Sequence, residues 1–209
     1  MLKNYLEFLN YFQGLLNKDF EDQAPYIKCK MGCAKCCQNG DYPFSEMELE
    51  YLKQGFLKLP QETKQIILDK IKELLKQHPK HTEENFTHEC PFLINNACSV
   101  YENRGLICRT FGLIYYKDDS KAQVPFCAFE GLNYSDVLDE EQNMITPEKV
   151  EEFGAGVEPK SFNVYYHFIT KDKIANIYNF SYGKKAPLLD LLRDDELFNP
   201  KNWFSCNVL

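Results

Sequence analysis

Leu2, Tyr5, Leu6, Leu9, Phe12 and Leu16 recur at spacings of three and four, which predicts an amphipathic helix over residues 2–18. Its polar face is not rich in Lys and Arg, so a helix packed on a core fits better than one lying on a membrane surface. Further on, Ser45 followed by Glu48 has the spacing of a capping box and predicts a helix over 46–58. Pro60 suits the first position of a second helix, whose Ile67, Leu68, Ile71, Leu74 and Leu75 fall on one side before His78-Pro79 stops it. Together these segments predict a helical hairpin.

Past the hairpin the pattern shortens. Residues 91–101 read as two short extended runs around Asn95-Asn96, a pair that tolerates the positive φ of a tight turn, with Cys98 just beyond it. Residues 106–116, rich in Ile, Phe and Tyr, read as a strand, and 117–145 as polar and irregular apart from Val124–Phe129. Thr146-Pro147 opens a short helix as an N-cap followed by a first-turn proline. Residues 161–169 fit strand or helix, and 187–198 fit a helix. No repeat or low-complexity linker divides the chain. The expectation is a small, helix-rich α+β single domain over residues 1–209, with short strands or hairpins. A cysteine core over about 27–130 would carry an extension over about 131–209 packed on it.

With 209 residues, 44% of them hydrophobic, the chain can bury a real core. A net charge of −7 repels a nucleic-acid backbone, and the basic stretch Lys64 to Lys80 is interrupted by Asp69 and Glu73, as on a solvated helix face. Neither nucleic acid nor a membrane is therefore expected as a partner. The apolar N-terminal run is broken by Lys3, Asn4, Glu7, Asn10 and Gln13, which neither an export signal nor a spanning helix tolerates. The expected location is cytoplasmic. In that reducing compartment, clustered cysteines more often bind metal or do redox work than form stable disulfides.

The cysteines change the picture most. Eight of nine fall in two groups, Cys29, Cys33, Cys36 and Cys37, then Cys90, Cys98, Cys108 and Cys127. Thiolates on nearby loop residues suit zinc, and alternatively an iron–sulfur cluster, and the spacing fits either. Consecutive side chains usually diverge, so Cys36 and Cys37 would strain the loop if both bound one tetrahedral ion. One of them serves a second metal or is a spare thiol. Eight cysteines allow two four-thiolate sites, or one polynuclear site with bystanders. A buried thiolate site carries net negative charge, and Arg104 and Arg109 are candidates to balance it, or else pair with carboxylates such as Glu102. His88 is close enough to Cys90 in sequence to replace a thiolate, although a lone loop histidine is more often solvated or hydrogen bonded. Cys206 reads as a small buried hydrophobe or an incidental thiol. The histidines show no catalytic zinc spacing.

Cys29-x3-Cys33-x2-Cys36-Cys37, Cys90-Pro91-Phe92-Leu93, Cys98-Ser99-Val100-Tyr101-Glu102-Asn103-Arg104 and Cys108-Arg109-Thr110-Phe111 occur in that order. This arrangement resembles the zinc- or iron-chelating cysteine-cluster family named for its CxxCxxCC signature, over about residues 27–130. Cys127 stands where a further downstream cysteine is often found. Two positions depart from the pattern: the first spacing has three residues instead of two, and Gly105 replaces a proline. The resemblance implies a small cytoplasmic bacterial metal-binding protein. A similar domain occurs in flagellin lysine methylases, which makes a protein-modifying or iron–sulfur redox enzyme the alternative reading and implies a protein partner. Against that alternative, the chain shows no strand, glycine-rich loop and helix of the S-adenosylmethionine-binding type. Cys29, Cys33 and Cys36 also follow the radical S-adenosylmethionine spacing, but Lys35 stands where an aromatic is usual. A third reading is an adaptor presenting Tyr165, Tyr166, Phe168, Trp203 and Phe204 to a partner, although such aromatics are more often core.

Overall fold

The computed structural model describes residues 1–30, 32–40, 42–78, 86–117, 121–160 and 170–202. Along the chain these form α1 (Leu2–Asp22), α2 (Lys35–Gln38), β1 (Pro43–Ser45), α3 (Glu46–Leu57), α4 (Gln61–Gln77), β2 (Leu93–Ile94) and β3 (Ala97–Cys98). There follow α5 (Leu106–Thr110), β4 (Tyr115–Lys117), β5 (Lys121–Gln123), β6 (Leu138–Asp139) and β7 (Met144–Ile145). The last are α6 (Pro147–Phe153), α7 (Asp172–Ile177), β8 (Lys185–Pro187) and α8 (Leu188–Asp194), with short 3-10 turns between elements. Helix dominates, and the described strands pair as two-stranded antiparallel ladders, β1 with β8, β2 with β3, β4 with β5 and β6 with β7. This composition is compatible with a small α+β protein.

The chain divides into two compact units, each built from separate stretches of sequence. The first comprises Met1, Lys3–Met31 and Cys108–Phe180; the second comprises Leu2, Gly32–Ile107 and Ser181–Leu209. In the first unit α1 buries Tyr5, Phe8, Leu9, Phe12 and Leu16. Phe8 meets Phe12, Tyr178 and Phe180 at ring-centroid distances of 5.7, 5.4 and 5.7 Å. Leu6, expected on the buried stripe, is 37% exposed. It sits about 100° around the helix from Tyr5, outside the arc that Phe8 occupies on the other side. Tyr26 and Tyr134 stack at 5.6 Å in a second cluster with Ile114 and Val137. Thr146 caps α6 through Oγ1, which accepts from Lys149 N, and Pro147 occupies its first turn as the sequence indicates.

In the second unit the capping box forms. Ser45 Oγ accepts from Glu48 N, while Glu48 Oε2 accepts from Ser45 N at 2.8 Å. Pro60 precedes α4 and His78 ends it. Asn95 and Asn96 have φ of 51° and 58°, which closes the β2–β3 hairpin and pairs Leu93 with Cys98. The strand expected over 106–116 begins instead as α5. Leu106 N donates to Glu48 Oε1 at 2.8 Å, so a carboxylate from α3 satisfies the first turn of that helix, and extended backbone starts only at Tyr115. At Gly105 a Cβ would lie 2.6 Å from the Phe44 ring, which is why the smallest residue fits beside this contact. The helix expected over 187–198 spans Leu188–Asp194, because residues 185–187 are used in the ladder with β1. The described part of 117–145 holds more regular structure than its polarity suggests, with β5, β6 and β7 in it, and Val124–Phe129 runs into a 3-10 turn at Phe126–Glu130.

Among the described residues no helix is long and apolar enough to cross a membrane. The segment 161–169 and the residues Trp203, Phe204 and Cys206 lie outside the described residues.

Candidate metal centre

In the second unit α2 is a single turn, closed by Cys37 N and Gln38 N donating to Ala34 O at 2.9 Å each. It carries Cys36 and Cys37, whose sulfurs are 4.0 Å apart despite their divergent starting directions. α3 and α4, which the sequence predicts as a hairpin, both pack on α8 rather than closely on each other, and after them the chain returns to this turn. Cys90 N donates to Cys37 O at 2.7 Å and Gly40 N donates to His88 O at 3.1 Å, so main chain laces residues 37–40 to 88–90. Leu93 N donates to Cys90 O at 3.0 Å, which folds Cys90 into a turn. Ser99 braces the base of the β2–β3 hairpin by donating from both N and Oγ to Phe92 O, at 2.9 and 2.8 Å. These bonds fix where Cys90 and Cys98 leave the backbone.

The thiols feel one another. The hydrogen bond with Cys37 is the largest influence on Cys36 and, with backbone N–H groups and the charge of Arg104, it brings the Cys36 thiol down to about 7 against the opposing effect of burial. Cys90 is half-buried as a residue, yet protein atoms surround its sulfur. That burial, with smaller contributions from Cys98 and Cys36, pushes its thiol up to about 12, opposed by a backbone hydrogen bond and by Lys70. Cys98 is also raised, chiefly by burial, with Arg104 opposing. Arg104 donates from Nη1 to Tyr101 O at 2.6 Å, and its guanidinium carbon lies 3.6 Å from the centroid of the Tyr101 ring.

His88 is buried, and its Nδ1 lies 2.8 Å from Glu89 O. That contact makes Nδ1 the protonated nitrogen of the neutral ring. Tyr42 donates its hydroxyl hydrogen to Cys36 O at 2.9 Å, and its ring so closely covers Gly40 that a Cβ there would lie 2.0 Å from Tyr42 Cε2. Cys33 is half-buried in the same unit, shortly after Gly32 with φ of 88°.

The first unit holds Cys29, Cys108 and Cys127. Buried Asn133 organises the surroundings of Cys29: its Oδ1 accepts from Lys28 N and Cys29 N at 2.8 and 2.9 Å, and its Nδ2 donates to Gly112 O at 2.8 Å. Gly112 has φ of 97°, and a Cβ there would lie 2.6 Å from Asn133 Nδ2 and 3.7 Å from Cys29 Sγ. Cys127 is buried on the 3-10 turn, with its carbonyl accepting from Leu132 N at 3.0 Å. Cys108 is half-buried on α5, and just past the end of that helix Phe111 packs edge-on to Phe126 at 5.5 Å. Arg109, beside Cys108, is buried and donates to Gln13 Oε1 at 2.7 Å.

All eight described cysteines are thiols, in no disulfide. Among the described residues no three His, Cys, Asp or Glu side chains converge as a ready metal-holding group. Residues 28–128 match a family model described as a putative zinc- or iron-chelating domain. This segment belongs to the CxxCxxCC family. No curated protein and no solved structure matches the chain.

The CxxCxxCC segment contains every described cysteine and contributes to both compact units. The donor set in the second unit suits the ions named in the family description. Soft thiols are the ligands that zinc and iron–sulfur centres take, and burial favours the neutral thiol of Cys90 and Cys98, an effect that a bound cation would offset. Nothing local in the sequence points to Asn133, Tyr42 or Lys70. Asn133 follows Gly131-Leu132 as an ordinary turn residue would, and Lys70 sits among alternating charges on α4, so neither carries a local signal of its role.

Proposed function

We propose that the protein is a cytoplasmic metal-binding protein in which Cys36, Cys37, Cys90 and Cys98 of the second unit hold zinc, or alternatively the iron of an iron–sulfur cluster. Cys33 lies in the same unit as a reserve thiol, and Cys29, Cys108 and Cys127 provide a separate set in the first unit. Arg104 and Arg109 act as positive neighbours of the two sets. The observation that carries the reading is the return of the chain after α4, which puts Cys36, Cys90 and Cys98 within electrostatic reach of one another. Ordinary core packing gives no reason for thiols from distant stretches to come within electrostatic reach of one another, and a bound ion would draw them together.

A zinc ion bound by closed thiolate ligation supplies a cross-link, whereas an iron–sulfur cluster supplies electron-transfer chemistry. The protein's own residues hold the turns that present the ligands. Cys37 O anchors the Cys90 turn, Tyr42 holds the Cys36 carbonyl, and Ser99 holds the hairpin that bears Cys98.

Anaerobic purification followed by metal analysis and a visible spectrum tests this reading. Stoichiometric zinc with a flat spectrum selects the structural ion; iron with acid-labile sulfide and a broad visible band selects the cluster. Cys36→Ser and Cys98→Ser are each expected to lose the bound ion and to unfold at lower denaturant. Full metal content and stability in both variants would sink the assignment.

A further inference from the structure

Lys70, on α4, lies outside every cysteine motif, yet its ammonium spans the Cys90 turn. Nζ donates to Leu93 O at 2.6 Å on one side of the turn and to the Glu89 carboxylate on the other. Leu93 is also the strand partner of Cys98, so a single side chain touches the backbone that fixes one thiol and the residue that precedes another. Arg104 bears on Cys36 and Cys98, whereas the positive charge acting on Cys90 is that of Lys70.

We propose that Lys70 is a positioning residue of the second unit's thiol centre, bracing the Cys90 turn through Leu93 O and contributing positive charge that a multi-thiolate site needs. The inference rests on the metal-binding reading above. A thiolate-rich site is net negative once loaded, and burying it is favourable only with cations and N–H donors close by. Glu89 competes for the same ammonium. Its carboxylate draws Lys70 charge away from the sulfurs, so neutralising Glu89 should help the centre although it breaks the ion pair. A purely structural Lys70–Glu89 bridge predicts the opposite sign.

The test compares wild type, Lys70→Met, Lys70→Arg and Glu89→Gln by zinc competition against a chelator, with the thiolate-to-metal charge-transfer band of the cobalt-substituted protein as a second readout. Met keeps the length of the apolar stem without the charge, and circular dichroism checks that the fold is unchanged. Lys70→Met is expected to weaken zinc binding about tenfold or more and to shift the cobalt band. Lys70→Arg should restore affinity to within about threefold, and Glu89→Gln should bind as tightly as wild type or tighter. Equal affinities for Lys70→Met and wild type overturn the inference alone. So does a loss in Glu89→Gln matching that in Lys70→Met. Wild-type protein that takes up neither zinc nor cobalt overturns the metal-binding reading, and this inference with it.

Discussion

Asn133 shows how much one amide can fix. It satisfies two consecutive N–H groups beside Cys29 and a carbonyl at Gly112, where the backbone is already in the left-handed region. Asn133→Ala leaves the buried Gly112 carbonyl without its donor, while the part-buried N–H groups of Lys28 and Cys29 can turn to water, and a loss of about 1–3 kcal/mol in urea unfolding is expected. Asn133→Asp should fall between the two, because it keeps the acceptor for Lys28 N and Cys29 N but sets a carboxylate oxygen against the Gly112 carbonyl. The cysteines announce themselves at this scale because thiols at such spacing have few other uses. Residues that hold them in place do not, since asparagine, tyrosine and lysine acquire these tasks only from partners far along the chain.

Elements were legible where their signals are local. The capping box, the Asn95-Asn96 turn and the Thr146-Pro147 helix start each depend on neighbouring residues, and each is present. The run 106–116 reads as a strand, yet its first residues form α5, because the group that starts this helix, Glu48, comes from α3. Glu48 is fully buried and accepts from Ser45 N, Ser45 Oγ and Leu106 N at 2.8, 2.7 and 2.8 Å. In Glu48→Gln the amide NH2 must face at least one of these donors. Thermal unfolding should report a loss of about 2–4 kcal/mol, and helix should be lost at both α3 and α5. A variant as stable as wild type would mean that water can replace the carboxylate there.

At the scale of the whole molecule, each compact unit contains a buried phenol. Tyr134 in the first donates to Gln23 Oε1 at 3.3 Å, and burial raises its pKa, as it does for Tyr182 in the second. Unfolded tyrosine ionises near pH 10, so above that point the native state binds more protons than the unfolded state and stability falls as pH rises. The denaturant midpoint should be lower at about pH 11 than at about pH 9, and Tyr182→Phe should flatten the decline. No decline between those values would mean that the phenols ionise in the native state.

The division into units also orders events during synthesis. Each unit is assembled from stretches separated by a piece of the other, and β1 at residues 43–45 has its ladder partner only at residues 185–187. The ribosome therefore delivers the early cysteines long before the strand that completes their unit. During that interval the thiols are held by a partly built structure, open to oxidants and to whichever soft ion arrives first. On the proposed metal-binding reading, loading would be a matter of timing as well as affinity, and a cell that slows elongation late in this chain would lengthen the exposure.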